Sequence, residues 1–170
     1  MTPPPMEGQK GQILDGEAEN EFFGGSVAMA KNGTIMAVGA RGANNFAGAV
    51  RVYELANDMW TQLGGDIDGE AASDDFGYSV SLSADGTRVA VGAPFNDGGG
   101  GSNSGRIRVF EFVNGDWTQV CADIDGESDD NRYGFAVALS DDGVCLAGGA
   151  PFNGNGGNNA GQVRAYTCPR

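Results

Sequence analysis

Four carboxylates in one short stretch are the most chemically suggestive feature of the chain. Asp66, Asp68, Glu70 and Asp74 stand at relative positions 1, 3, 5 and 9, a spacing at which a loop can wrap oxygen ligands around one hard cation such as calcium. Asp123, Asp125, Glu127 and Asn131 repeat that spacing, and a degraded set begins at Ile13 and continues through Asp15, Glu17 and Glu21. The glycine follows the second acid and position 12 holds no glutamate, so the stretch is not an EF-hand. Aspartate and glutamate also cap turns and solvate exposed loops with no metal at all, and sequence leaves both uses open. Paired carboxylates such as Asp68 and Asp74 could also act as acid and base on a glycoside. Because the acids recur in each copy, a scaffold accounts for them better than a single active centre. Histidine is absent from all 170 residues, which removes the usual general base, transition-metal ligand and Ser-His or Cys-His nucleophile systems.

Charge narrows the partners. With 23 acidic against 10 basic residues, the net charge of −13 repels phosphate backbones and anionic lipid surfaces. Nucleic acid is therefore disfavoured. The basic residues are scattered singly, and no apolar stretch approaches the ~18 residues of a membrane span. Met1-Thr2-Pro3-Pro4-Pro5 has neither the basic start nor the apolar core of a signal peptide, so a secreted form would be a mature one. Glycine supplies 30 of 170 residues, more than twice the ~7% of ordinary globular chains, which opposes long helices.

The elements that must position these acids are repeated. Asp15-Gly16-Glu17 to Phe23-Gly24, Asp68-Gly69-Glu70 to Phe76-Gly77 and Asp125-Gly126-Glu127 to Tyr133-Gly134 align with periods of 53 and 57 residues. Each copy continues into an alternating apolar stretch (26–29, 79–82, 136–139), then a turn at Asn32-Gly33, Asp85-Gly86 or Asp142-Gly143. A small-residue strand, a Gly/Asn-rich loop, a third strand (50–53, 107–110, 163–166) and an outer Trp-containing strand (60–63, 117–120) follow. Period-two alternation with Asn-Gly and Asp-Gly turns predicts antiparallel hairpins, and four strands in about 50 residues is a propeller-blade period.

The repeat resembles, throughout residues 11–170, the FG-GAP repeat of integrin-α-like β-propellers, through Phe76-Gly77 and Gly92-Ala93-Pro94. The first copy keeps Phe23-Gly24 with Gly39-Ala40-Arg41, and the third has Tyr133-Gly134 with Gly149-Ala150-Pro151. The resemblance implies blades arranged around an axis. Integrin-like repeats carry calcium in the first-to-second strand loop, where this chain has only two- or three-residue turns, so the resemblance does not support the acidic sets as calcium sites.

The expected fold is all-β and β-propeller-like, a single repeat domain of three four-stranded antiparallel blades, with repeats at 15–67, 68–124 and 125–170. The third copy lacks its fourth strand, and residues 1–14 are expected to complete it beside Val163–Tyr166. Propellers usually have about 4–8 blades, so closure is expected to need further blades from a partner, a second copy, or an open arc docked on another protein.

Strand order places the long loops on one face, with Asn96, Asp97, Asn103, Asn153 and Asn155 as candidate binding residues. Arg51, Arg108 and Arg164 recur at one strand position and are expected to pair with a neighbouring blade's Asp-Gly-Glu. Trp60 and Trp117 read as hydrophobic anchors. Of three cysteines, Cys145 and Cys168 are expected to form a disulfide, with Cys121 free or bonded to a partner; three reduced thiols are the alternative. A disulfide would fit an extracellular, cell-surface or lumenal setting. The function expected is a non-catalytic binding, adhesion or scaffold module for protein or glycan partners, with calcium as a candidate cofactor. The alternatives are an accessory subunit of a larger complex and a carboxylate-based glycoside-active enzyme.

Overall fold

A computed structural model describes residues 8–170; the reading of Met1–Pro5 lies outside the described residues. The chain is all-β and β-propeller-like, with three antiparallel blades. Blade 1 contains β1 (Phe23–Met29), β2 (Ile35–Ala40), β3 (Ala49–Ala56), β4 (Met59–Gln62) and β5 (Ile67–Asp68), with a single turn α1 (Ala43–Phe46) between β2 and β3. Blade 2 contains β6 (Ser79–Leu82), β7 (Arg88–Ala93), β8 (Arg106–Val113), β9 (Asp116–Gln119) and β10 (Ile124–Asp125). Blade 3 contains β11 (Ala136–Leu139), β12 (Cys145–Ala150) and β13 (Gln162–Thr167).

Local chemistry explains the turns. Asn32, Asp85 and Asp142 each accept a hydrogen bond from the backbone N–H two residues on, at 3.0 Å in all three turns, which closes an Asx turn. In the β3–β4 turn Asn57 and Asp58 have φ of 52° and 57°, and in the β8–β9 turn Asn114 and Gly115 have 55° and 93°. Two successive positive φ angles match the twist of a tight hairpin.

The acidic stretches are partly strand. β4 pairs with Tyr53–Ala56 and β5 with Ala49–Val50, so both lie along β3. Leu63 N–H donates to Val52 O between them, making one outer strand interrupted at Gly64-Gly65. Blade 2 repeats this arrangement, with β9 and β10 along β8.

Each blade has a face of large residues and a face of small ones. In blade 2, cross-strand pairing puts Val80, Leu82, Val89, Val91 and Phe110 on one face, and Ser79, Ser81, Ala90, Gly92, Ile107 and Val109 on the other. The large face of blade 2 packs on Ala37, Val50 and Val52 of blade 1. The small face packs in turn against Tyr133, Val137, Leu139 and Leu146 of blade 3. Glycine is required where the blades meet. A Cβ on Gly39 would collide with Gly77 O, and one on Gly92 with Gly134 O. Ser26 and Ser79 hydroxyls donate to those carbonyls, both at 2.7 Å.

Two expectations are corrected. The disulfide joins Cys121 to Cys168, with Cα atoms 6.0 Å apart, and Cys145 is the free cysteine. Cys145 lies opposite Thr167, so Cys168, one residue further on, faces the other side of the sheet. There it meets the outer strand of blade 2, and the bridge joins the two blades. Of the N-terminal segment expected beside Val163–Tyr166, the described residues 8–14 lie elsewhere. Gln12 exchanges hydrogen bonds with the Trp60 backbone at 2.7 and 2.8 Å, and Trp60 Nε1 donates to Lys10 O at 3.1 Å. The segment is thus held on blade 1.

Candidate functional site

The long loops share one face. The stretch after β5 lies on the loop before β3, where Gly69, Asp75 and Phe76 N–H groups donate to Gly48, Phe46 and Ala47 O. Gly126, Arg132 and Tyr133 repeat the pattern on Gly105, Asn103 and Ser104.

The acids expected to ligate a cation gather instead around arginines. Arg106 holds Glu70 at 2.6 Å, Asp125 at 2.7 Å and Asp123 at 3.1 Å. Arg51 holds Glu21 at 2.6 Å, Asp66 at 2.9 Å and Glu17 at 3.1 Å. Arg164 reaches Glu127 at 3.5 Å and donates to Asp125 O at 2.6 Å. In chemical terms the guanidinium is the cation of these loops. Of the remaining members of the two sets, Asp68 accepts from Asn44 Nδ2 at 2.8 Å, Asp74 accepts from Asn96 Nδ2 at 2.6 Å, and Asn131 is buried. Among the described residues no group of three or more His, Cys, Asp or Glu side chains is arranged to hold a metal ion.

Arg164 meets the expected neighbouring-blade Asp-Gly-Glu at Asp125 on β10 of blade 2. Arg51 and Arg164 meet the Asp-Gly-Glu glutamate of their own repeat, Glu17 and Glu127. Arg108 is bonded chiefly to Gln119, at 2.8 and 2.9 Å, with Glu70 at 3.8 Å. The loop folds back over the blade it introduces, which brings its glutamate above that blade's third strand. Arg106, which no repeat pattern marked, gathers three carboxylates as Arg51 does.

Burial acts on two acids with opposite outcomes. Burial alone would raise the Glu21 carboxyl, yet Arg51 and the Glu17 and Ala18 amides outweigh it and hold Glu21 below the usual range. Asp74 is raised by burial, with the Asn96 bond opposing.

The five candidate binding residues separate into two groups. Asn96 and Asn153 are buried, at 6% and 1% exposure, and tie the loops internally. Asp97 accepts from the Asn103 amide, Asn103 bonds Asp130, and Asn155 bonds Glu127, all nearer the surface.

A row of aromatic rings and arginines crosses the same face, and sequence reasoning missed it. Phe22 lies 6.1 Å from Phe46 and beneath the Arg41 guanidinium at 4.8 Å. Arg41 reaches Tyr78 at 5.7 Å, and Tyr78 contacts Phe95 at 6.4 Å and Phe135 at 4.8 Å. Arg132 lies over Phe95 at 4.9 Å and Phe152 at 4.6 Å. The recurring signal was available: Tyr78 and Phe135 follow the Phe-Gly or Tyr-Gly pair by one residue, and Phe95 and Phe152 follow Gly-Ala-Pro directly. Arg41 is neutralised by Asp75 at 2.7 Å. Arg132 has no carboxylate partner among the described residues, and its Nε is buried without a hydrogen-bond acceptor.

Comparison with known proteins bears on the repeat. Residues 67–110 match the FG-GAP repeat family model. The FG-GAP match runs from β5 into β8 and contains both Phe76-Gly77 and Gly92-Ala93-Pro94. No curated protein matches the chain. Among solved structures it is similar to TolB from Acinetobacter baumannii, at 17% identity and a TM-score of 0.49, over 86% of this chain and 30% of that one. The chain therefore spans about a third of the length of that relative. No helix among the described residues is long and apolar enough to cross a membrane. Residues 67–110 thus carry one FG-GAP repeat within an all-β, three-blade architecture.

Proposed function

We propose that the chain is a non-catalytic, protein-binding module of an oxidising, extracellular or lumenal setting, and that the aromatic–arginine row is its contact surface. The observation that carries this is Arg132, a guanidinium packed on two rings with no carboxylate partner among the described residues. Aromatic and arginine side chains dominate protein-binding hot spots because they bury much area at low entropic cost and can satisfy a desolvated polar group. The fitting partner places an apolar side chain across Tyr78 and Phe135 and a carboxylate or carbonyl on Arg132. The Cys121–Cys168 bridge supports the oxidising setting. Arginine engages Asp66, Glu70, Asp123, Asp125 and Glu127, and the candidate acid–base pair Asp68 and Asp74 each bond an asparagine, which supports a structural use of those acids over catalysis.

The test is binding of the protein to arrays of peptides and of neutral glycans, compared with Tyr78→Ala and Arg132→Met variants. Peptide binding reduced at least tenfold in both, with unchanged circular dichroism, is the expected result. A ligand retained by both variants refutes the surface assignment, and hydrolysis of arrayed glycans refutes the non-catalytic reading.

A further inference from the structure

The two ends of the arc are complementary halves of the interface that the chain forms twice within itself. At one end the small face of blade 3, made of Ala136, Ala138, Ala147, Gly149, Val163 and Ala165, has no blade against it among the described residues. Val163 is 76% exposed, whereas Val50 and Ile107, which occupy its position in blades 1 and 2, are 0% exposed. Gly149 agrees with this. A Cβ there would meet only Ala136, at 3.7 Å or more, whereas at Gly39 and Gly92 it would strike the next blade's backbone. At the other end the large face of blade 1 exposes Val27 at 62%. A Cβ added at Gly24 would meet nothing within 4 Å, although the counterparts Gly77 and Gly134 abut the preceding blade. Shallow apolar grooves mark both ends, one lined by Val27, Met36 and Val38 and the other by Ala138, Gly148 and Val163.

The N-terminal segment supplies the second observation. Trp60 Nε1 donates to Lys10 O at 3.1 Å, as Trp117 Nε1 donates to Leu63 O at 2.7 Å. Gly11 (φ 70°) lies against Trp60 as Gly64 (φ 77°) lies against Trp117. Residues 10–14 therefore sit on blade 1 where the outer strand of a preceding blade sits on blade 2. Among the described residues, that strand is what blade 3 lacks.

We propose that a second copy of this chain docks head to tail, its blade 1 on the small face of blade 3. Its Leu14-Asp15 adds to Val163 and Gln162 as Ile67-Asp68 adds to Val50 and Ala49 within one chain. The occupant follows from continuity: the surface that fits a small face is seen twice in this molecule, and it is the surface left open on blade 1. Two copies joined at both ends give a closed ring of six blades, inside the 4–8 common for propellers, and closure leaves neither of the two open blade faces uncovered. The proposal builds on the open blade edge and not on the aromatic row, so the two can fail separately.

Light scattering at micromolar concentration should give twice the 17.4 kDa chain mass. Gly149→Val and Val163→Glu on one face, and Val27→Glu on the other, should each give monomers with unchanged circular dichroism. Mixing Gly149→Val with Val27→Glu should restore association, because one intact junction remains between them. Tyr78→Ala should stay dimeric. A monomeric wild type, dimers that survive both blade 3 variants, or failure of the mixture to associate would each overturn the proposal.

Discussion

The Glu21–Arg51 pair offers the sharpest test of how the acidic loops are held. Both side chains are nearly inaccessible, at 3% and 4% exposure, and lie 2.6 Å apart. Removing one partner of a buried pair commonly costs ~3–5 kcal/mol, because the other charge stays buried without compensation. The two sides are not equivalent here. Glu21→Gln leaves Arg51 with Asp66 at 2.9 Å, and the new amide oxygen can still accept from the Glu17 and Ala18 N–H groups. Its cost should fall below that range, at about 2 kcal/mol. Arg51→Met takes away the guanidinium that Glu21 bonds, and should cost about 4 kcal/mol. Urea unfolding resolves this difference, since with a slope of ~1–3 kcal/mol/M the milder variant moves the midpoint by roughly 1 M.

The pH dependence carries a sign. In the native protein the folded Glu21 pKa lies below its ordinary value of 4.5. Its contribution is therefore fully present above that value and is lost as pH falls through the lowered folded one. The gap between wild type and Glu21→Gln should be constant near neutrality and shrink on acidification. In Arg51→Met, burial is no longer opposed by a cation, so Glu21 should titrate above its ordinary value and the variant should recover relative stability as pH falls. A milder effect of Arg51→Met than of Glu21→Gln, or a gap indifferent to acid, would refute this account.

The disulfide closes a 47-residue separation, for which loop entropy gives about 4 kcal/mol as a model value and ~2–4 is typical. Cys121→Ser should lower stability by that order, Cys145→Ser should leave it nearly unchanged, and peptide mapping of the unreduced protein should recover Cys121 joined to Cys168; a Cys145–Cys168 peptide would contradict the structure. Because Arg106 stands among Glu70, Asp123 and Asp125, millimolar calcium should raise the melting temperature of Arg106→Gln more than that of the wild type. An equal or larger rise in the wild type would show that the carboxylates bind the ion with the guanidinium in place.

The tertiary structure was needed wherever a feature depends on the neighbouring blade. Cys145 and Cys168 look adjacent when strands are counted within a hairpin, but the observed register puts them on opposite faces and the partner comes from another blade. Calcium spacing describes separation along the chain, whereas Glu70, Asp123 and Asp125 converge from two loops onto an arginine of a third segment. The aromatic row is likewise assembled from loops of all three blades, so no single stretch announces it.

What could be read from the chain alone is what is local or periodic. The threefold aromatic-Gly, Gly-Ala and Asx-Gly pattern specifies hairpins of a definite length, because turn geometry and side-chain alternation act over a few residues. It also specifies small and large faces, and therefore that blades stack. Which charges meet, which cysteines bond and which two faces stay open are decided by packing between blades, where contacts join residues about fifty positions apart and no local preference distinguishes the alternatives.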